Sequence, residues 1–237
     1  GNYNVAIGYN AGFRNTTGAD NTFIGNTAGY ECQTGHSNTA VGKSAFGFGS
    51  STNTANGTKN VAIGMQSLFR ITSGYDNSVL GYQAGLNINT GHDNTLMGYG
   101  AGDGVTTGNN NCVLGADALS AVAGGSHNVA IGRAARGSTG GNVTGCVAVG
   151  LDTLEGTTGN YNTIIGSNSA SVITTGSQNT VLGYGAGTSI SGASNCVLIG
   201  FDAESSAGGH SELVVGANSV GKGDDTGFIN PPSSGNL

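Results

Sequence analysis

One glycine recurs along the chain at a nearly constant interval, and that interval limits what the chain can fold into. The glycine ends a short phrase, as in "NVAIG" at 4–8 and "NTVLG" at 179–183. The thirteen copies of this glycine are Gly8, Gly25, Gly42, Gly64, Gly81, Gly98, Gly115, Gly132, Gly150, Gly166, Gly183, Gly200 and Gly216. Eight of the twelve intervals are 17 residues long, and the others are 16, 16, 18 and 22. A regular period of this kind is typical of a repeat architecture.

The length of the repeat selects the kind of repeat. Seventeen residues rich in Val, Ile and Thr are too few for a strand, a helix and a returning strand. They fit two short strands and two turns, which is one rung of a parallel β-solenoid. The sequence therefore predicts an all-β rod over 1–219, about 60 Å long at about 4.8 Å per rung. We expect 220–237 to be an irregular tail or cap.

The amino-acid composition argues against several classes of protein. The 46 glycines are periodic, only 8 % of residues are charged, and Pro stands only at 231 and 232, so the chain is expected to fold rather than to be disordered. Seven basic residues and a net charge of −6 argue against nucleic-acid binding. No apolar run is long enough to insert into a membrane. Because Gly rather than Met opens the sequence, we expect it to be a piece of a longer protein.

The predicted first strand is apolar on both faces. The residue directly before the rung glycine is a large aliphatic one in all thirteen copies, and the residue two before it is apolar as well. A strand of this pattern is buried on both sides, so one side needs a partner. We assign contacts between chains to the column two before the glycine, where small Ala residues suit close approach. The assigned residues are Ala6, Phe23, Ala40, Val79, Leu96, Val113, Ala130, Ile164, Val181, Leu198 and Val214.

Three other positions of the repeat also lead to structural predictions. Asn four before the glycine recurs in ten copies, from Asn4 to Asn179, and predicts a stack of amides along the rod. The position three after the glycine is always small. Tyr and Phe share the position directly after the glycine at Tyr9, Tyr82, Tyr99, Tyr184 and Phe201. We interpret them as core residues, with a stripe for stacking sugars as the alternative.

Signals for catalysis, metals or cofactors are weak. "GKS" at 42–44 lacks the upstream glycine of a phosphate loop. His36, His92, His127 and His210 fall in different rungs, as do Cys32, Cys112, Cys146 and Cys196, so we predict neither metal sites nor disulfides. Asp76 and Asp93 stand in adjacent rungs and could hold a cation, but solvated turn residues are the simpler interpretation. The sequence therefore predicts no enzyme, no metal and no cofactor.

The 22-residue interval between Gly42 and Gly64 inserts about five residues, around "GFGSS" at 47–51. Insertions in solenoids form loops that often bind partners. Phe46, Phe48 and Ser50 are therefore our candidate ligand-binding residues, and a loop without a ligand is the alternative.

The repeats resemble those of a known protein family. The phrases "NVAIG" at 4–8, 60–64 and 128–132 resemble the head repeats of YadA-like trimeric autotransporter adhesins, and are similar to repeats of phage and marine-virus tail fibres. The resemblance covers 1–219. It implies a left-handed parallel β-roll, a homotrimer, and attachment to a surface through a host glycan or protein receptor. The tail 217–237 lacks the heptads of an autotransporter stalk, which leaves a viral fibre open.

The functional expectation is a non-enzymatic fibre or adhesin head outside the cell, on a virion or a bacterial surface. The alternative is a purely structural virion or filament component that spaces other domains. An ice-binding solenoid needs two parallel Thr columns, and this chain has one broken column, Thr17, Thr34, Thr90, Thr107 and Thr175.

Overall fold

A computed structural model describes residues 1–47, 55–136, 141–156, 158–171, 175–188 and 190–230. It contains fourteen strands of three residues each, in one parallel sheet whose order follows the chain. They are β1 Val5–Ile7, β2 Thr22–Ile24, β3 Thr39–Val41, β4 Val61–Ile63, β5 Ser78–Leu80, β6 Thr95–Met97, β7 Cys112–Leu114, β8 Val129–Ile131, β9 Val147–Val149, β10 Thr163–Ile165, β11 Thr180–Leu182, β12 Val197–Ile199, β13 Leu213–Val215 and β14 Gly227–Ile229.

The register places equivalent repeat positions next to each other. Cys112, Val113 and Leu114 of β7 pair with Val129, Ala130 and Ile131 of β8. The 22-residue interval keeps the same register, because Ala40 pairs with Ala62 across it. The predicted parallel β-solenoid is confirmed.

The second predicted strand of each rung is wrong. The residues after the rung glycine form successive turns rather than a strand. Asn10 has a φ of 53° and Gly12 a φ of 60°, a left-handed backbone that a β-strand does not adopt. Their peptide groups still bond between rungs, as Gly12 N–H does to the Ala28 carbonyl at 2.9 Å.

The recurring glycine is required by backbone geometry. In all thirteen rungs its φ lies between 130° and 151°, a conformation open essentially to glycine alone. A Cβ on Gly81 would also stand 2.1 Å from the carbonyl oxygen of Gly98 in the next rung. The strict period of the sequence therefore follows from a corner at which successive backbones touch.

The core lies between the sheet and the turns. The middle residue of each strand points inward, and we call these residues the inward column. From Phe23 to Val214 the inward column is at most 1 % exposed. Small residues three after the glycine, such as Ala84 and Ala118, face it from the turns.

This arrangement corrects the predicted contacts between chains. All the assigned residues belong to the inward column and fill the core of their own chain, except Ala6, which is exposed at the first rung. The physical reason is the alternation of side chains along a strand, which puts the residue two before the glycine opposite its two neighbours.

The predicted stack of asparagines is confirmed. Asn111 donates Nδ2–H to Asn94 Oδ1 at 2.9 Å and to the Gly125 carbonyl at 2.9 Å. Its own Oδ1 accepts from the backbone N–H of Asn128 at 3.0 Å. Buried Cys146 and Cys196 interrupt the stack, and Glu212 follows at its end, where it accepts bonds from the N–H groups of Ser206 and Gly223.

The tail is more regular than predicted. Phe228 of β14 pairs with Val214, so the sheet extends one strand beyond residue 219. Among the residues that the structure describes, no helix is long and apolar enough to cross a membrane.

Candidate binding surface

The two outer residues of each strand form an uncharged and mostly apolar face on the rod, in which six of the 26 positions are Thr or Ser. We call them the outward columns: the residues directly before the rung glycine and those three before it. Leu80, Met97, Leu114 and Leu182 are 42–47 % exposed, although each is a large aliphatic residue. The sheet face measures about 60 Å by about 10 Å, which is about 600 Å².

None of the 26 outward positions of the thirteen rungs holds a charged residue. Monomeric proteins rarely expose an apolar patch larger than this one, and larger patches mark interaction sites. A stable interface buries about 800 Å² on each partner, so this face with its borders is of the size needed. The exposed, uncharged side of the sheet is therefore formed by the outward columns and not by the inward column.

The residues directly after the rung glycine form a corner column beside this face. Its aromatic members were expected in the core, and that interpretation is wrong, because they are 38–72 % exposed. The residue directly after the glycine lies two positions beyond an outward residue, so the alternation of the strand places its side chain outside as well. Tyr82 stacks on Tyr99 with ring centroids 5.3 Å apart, and Tyr184 stacks on Phe201 at 5.6 Å.

Carboxylates stand next to both aromatic pairs. A Cβ on Gly100 would lie 2.8 Å from Asp117 Oδ1, and one on Gly185 would lie 2.1 Å from Asp202 Oδ1. In each case a carboxylate of one rung covers a glycine of the rung before it. Burial raises the pKa of nearby Asp103, and the charge of Asp117 raises it further.

Of the candidate ligand-binding residues Phe46, Phe48 and Ser50, the structure describes only Phe46. Phe46 is fully buried and stacks on Phe23 at 6.4 Å, so its assignment as a ligand-binding residue is wrong. It stands four after the rung glycine, where Leu68, Leu119 and Leu154 are also buried. The large apolar residues at this repeat position in other rungs are the sequence pattern that could have predicted the burial of Phe46. Phe48 and Ser50 lie outside the described residues.

Sequence reasoning missed a polar cleft beside the insertion. The cleft has a volume of about 510 Å³ and is lined by Glu31, Gly47, Arg70, Ile71, Asn87, Asn89 and Thr106. Glu31 Oε2 accepts a bond from Arg14 Nη1 at 3.0 Å, and the Glu31 side chain is only 5 % exposed. These residues come from five successive rungs, so no local motif marks them.

The histidines and acidic residues form no larger cluster in the described part of the chain. The Tyr75 ring stacks on His92 at 4.5 Å, and His92 Nδ1 lies 2.8 Å from Asp93 Oδ2. Asp76 and Asp93 are exposed. No three His, Cys, Asp or Glu side chains of the described residues converge on one point.

All four cysteines are free, as the rung spacing predicts. Cys146 and Cys196 are buried, whereas Cys112 is exposed because it stands in an outward column. Burial raises the pKa of the Cys32 thiol to about 12.

No protein-family model matches the sequence, and no curated protein matches it. The resemblance to YadA-like heads therefore stays a prediction from the repeat residues.

Proposed function

We propose that three copies of this chain pack along their outward columns into a rod, and that the rod is a non-enzymatic fibre or adhesin head for attachment to a host cell or other surface. The observation that carries the proposal is the mostly apolar face, which holds no charge over thirteen rungs. In water this face costs free energy that a second and a third copy remove. The number three and a left-handed winding come from the resemblance.

A rod of this kind suits attachment outside the cell, on a virion or a bacterial surface. Its rungs are joined by continuous parallel hydrogen bonds and a buried amide stack, so its length is held rigidly. Closed rotational symmetry presents every surface site three times at one height. Weak binding to a receptor then becomes strong through multivalency.

Assembly is tested by sedimentation equilibrium and attachment by a binding assay on intact cells. We expect a mass of three chains of 23.2 kDa, about 70 kDa, with Leu114→Asp sedimenting as a monomer. Thr107→Asp is the matched control, since it adds the same charge at an exposed turn near the same height. A trimer that adheres to no cell surface would support the spacer instead.

A further inference from the structure

An open slot interrupts the corner column between β6 and β8. The column runs from Tyr99 to Ala116 to Arg133 in three successive rungs. Tyr82 covers one face of the Tyr99 ring, at an interplanar angle of 12°. The other face points toward the rung of Ala116, whose methyl group is too small to cover it. Tyr99 is accordingly 56 % exposed.

The slot has a defined height. Tyr99 and Arg133 lie two rungs apart, which is about 9.6 Å. Carbon contacts on both faces of a bound ring use about 7–8 Å of this height. The space beside Ala116 is therefore high enough for a puckered ring. The Arg133 side chain is 67 % exposed, and its Nη1 lies 4.0 Å from Asp152 Oδ1 in the following rung, so the guanidinium does not fill this space.

A hydrogen-bond acceptor borders the same slot. Asp117 follows Ala116 directly, and its Oδ1 lies over Gly100, the residue after Tyr99. An ionised carboxylate only accepts hydrogen bonds, so it selects a ligand that donates them. An apolar ring face with hydroxyl donors at its edge is the chemistry of a sugar.

We propose that the slot formed by Tyr99, Ala116 and Asp117 binds one pyranose ring, which stacks its C–H face on Tyr99 and donates a hydroxyl hydrogen bond to Asp117. This site rests on the proposed attachment function and names the ligand class that it recognises. The geometry is that of a small-molecule site, an apolar surface with few placed polar groups.

The corner column differs from the surface that we assign to contacts between chains. The outward columns hold no charge in any rung, whereas the corner column contains Asn26, Lys43 and Arg133. A column buried between chains along the whole rod would not favour charged side chains such as those of Lys43 and Arg133. The corner column therefore borders the interface and faces solvent.

A second aromatic pair provides an internal control. Tyr184 and Phe201 stack in the same way, and Ala217 follows them in the next rung. The residue after Ala217 is Asn218 rather than an aspartate, and Asn230 stands where the next rung glycine would be. This pair has no carboxylate in the slot rung, so the proposal does not extend to it.

The test is saturation-transfer NMR on the purified protein with four probes: the methyl pyranosides of glucose, galactose, mannose and glucuronic acid, each at millimolar concentration. We expect transfer to the ring C–H protons of at least one probe. Tyr99→Ala should weaken binding about tenfold, the loss that stacking on one aromatic ring represents. Ala116→Leu should weaken it similarly by filling the slot, and Leu151 shows that the column accepts this side chain. Phe201→Ala is the matched control and should bind as the wild type does.

Sedimentation of the same samples separates the two proposals. Trimers that bind no probe, or that bind equally after Ala116→Leu, overturn the slot and leave the assembly intact. Dissociation of the trimer by Tyr99→Ala shows that the corner column is a contact between chains, which also overturns the slot. An equal loss in Phe201→Ala and Tyr99→Ala contradicts the role of Asp117.

Discussion

Val113 and Leu114 are neighbours on β7 with nearly the same chemistry and opposite surroundings. Val113 is 1 % exposed in the core of its own chain, and Leu114 is 47 % exposed on the face of the sheet. The inward residue is stabilised by the fold of one chain. The outward residue is stabilised only when another chain covers it. A change at the first site therefore acts on folding, and in the proposed assembly the same change at the second acts on the contacts between chains.

Val113→Asp should have the largest effect. It buries an unpaired carboxylate among apolar neighbours and should cost about 5 kcal/mol or more. The rungs of β6 to β8 should lose protection in hydrogen exchange, while distant rungs keep theirs, because stability in a solenoid is shared between neighbours. Val113→Ala is the control, since Ala130 occupies the next inward position. Full protection around Val113→Asp would contradict the inward placement.

Leu114→Asp should leave the secondary structure and the hydrogen exchange of the rod near those of the wild type, and should separate the chains. The carboxylate remains hydrated in the monomer but would be desolvated in the assembly. Circular dichroism and sedimentation are measured on one sample. An unfolded Leu114→Asp chain would show that the two columns do not differ as described.

Changes in the asparagine stack should have effects of intermediate size on the free energy of unfolding. We compare a change within the stack with a change where a cysteine interrupts it. Asn111→Ala removes two donated bonds and leaves the N–H of Asn128 without its acceptor. We expect a loss of about 2–4 kcal/mol. At the natural break, Cys146→Asn should add about 1 kcal/mol by supplying an amide. Urea midpoints at unchanged slope measure both, and equal stabilities would show that the stack contributes nothing.

Cys32 and Cys112 allow the same comparison between a buried and an exposed side chain, in this case through the reactivity of their thiols. The thiolate is the reactive form, and burial raises the Cys32 pKa to about 12. Cys32 should resist an aromatic disulfide reagent at pH 8 in every variant. Cys112 should react about tenfold faster in Leu114→Asp than in the wild type, since accessibility limits the reaction. Equal rates at Cys112 would mean that its face is uncovered.

The smallest expected effect is a loss of folding stability at high pH. The Cys32 pKa is raised from 9.0 to about 12 in the folded chain, so the unfolded chain loses its proton first as the pH rises. The stabilisation from this group is complete below pH 9 and is lost as the pH rises from 9 to 12. Cys32→Ala should flatten the fall in stability over that window, measured by urea unfolding. An unchanged slope would contradict the buried thiol.

The sequence predicted much of the fold and less of the surface. The 17-residue period, the glycine corner and the asparagine stack follow from residue types that few other structures require. The side of the strand was not predictable in the same way. Val113 and Leu114 are both apolar, and a strand buried by its own core and by a second chain reads as one continuous apolar run. Tyr99 was misplaced because it was put on the same side as the buried small residue two positions later, Ala101, on a second strand that the structure replaces with turns.

Sedimentation equilibrium of the unmodified chain at micromolar concentration tests most directly whether copies cover the outward columns. We expect a single species of about 70 kDa, three chains of 23.2 kDa. A stable species of 23.2 kDa would mean that the apolar face remains in water, and it would contradict the proposed assembly.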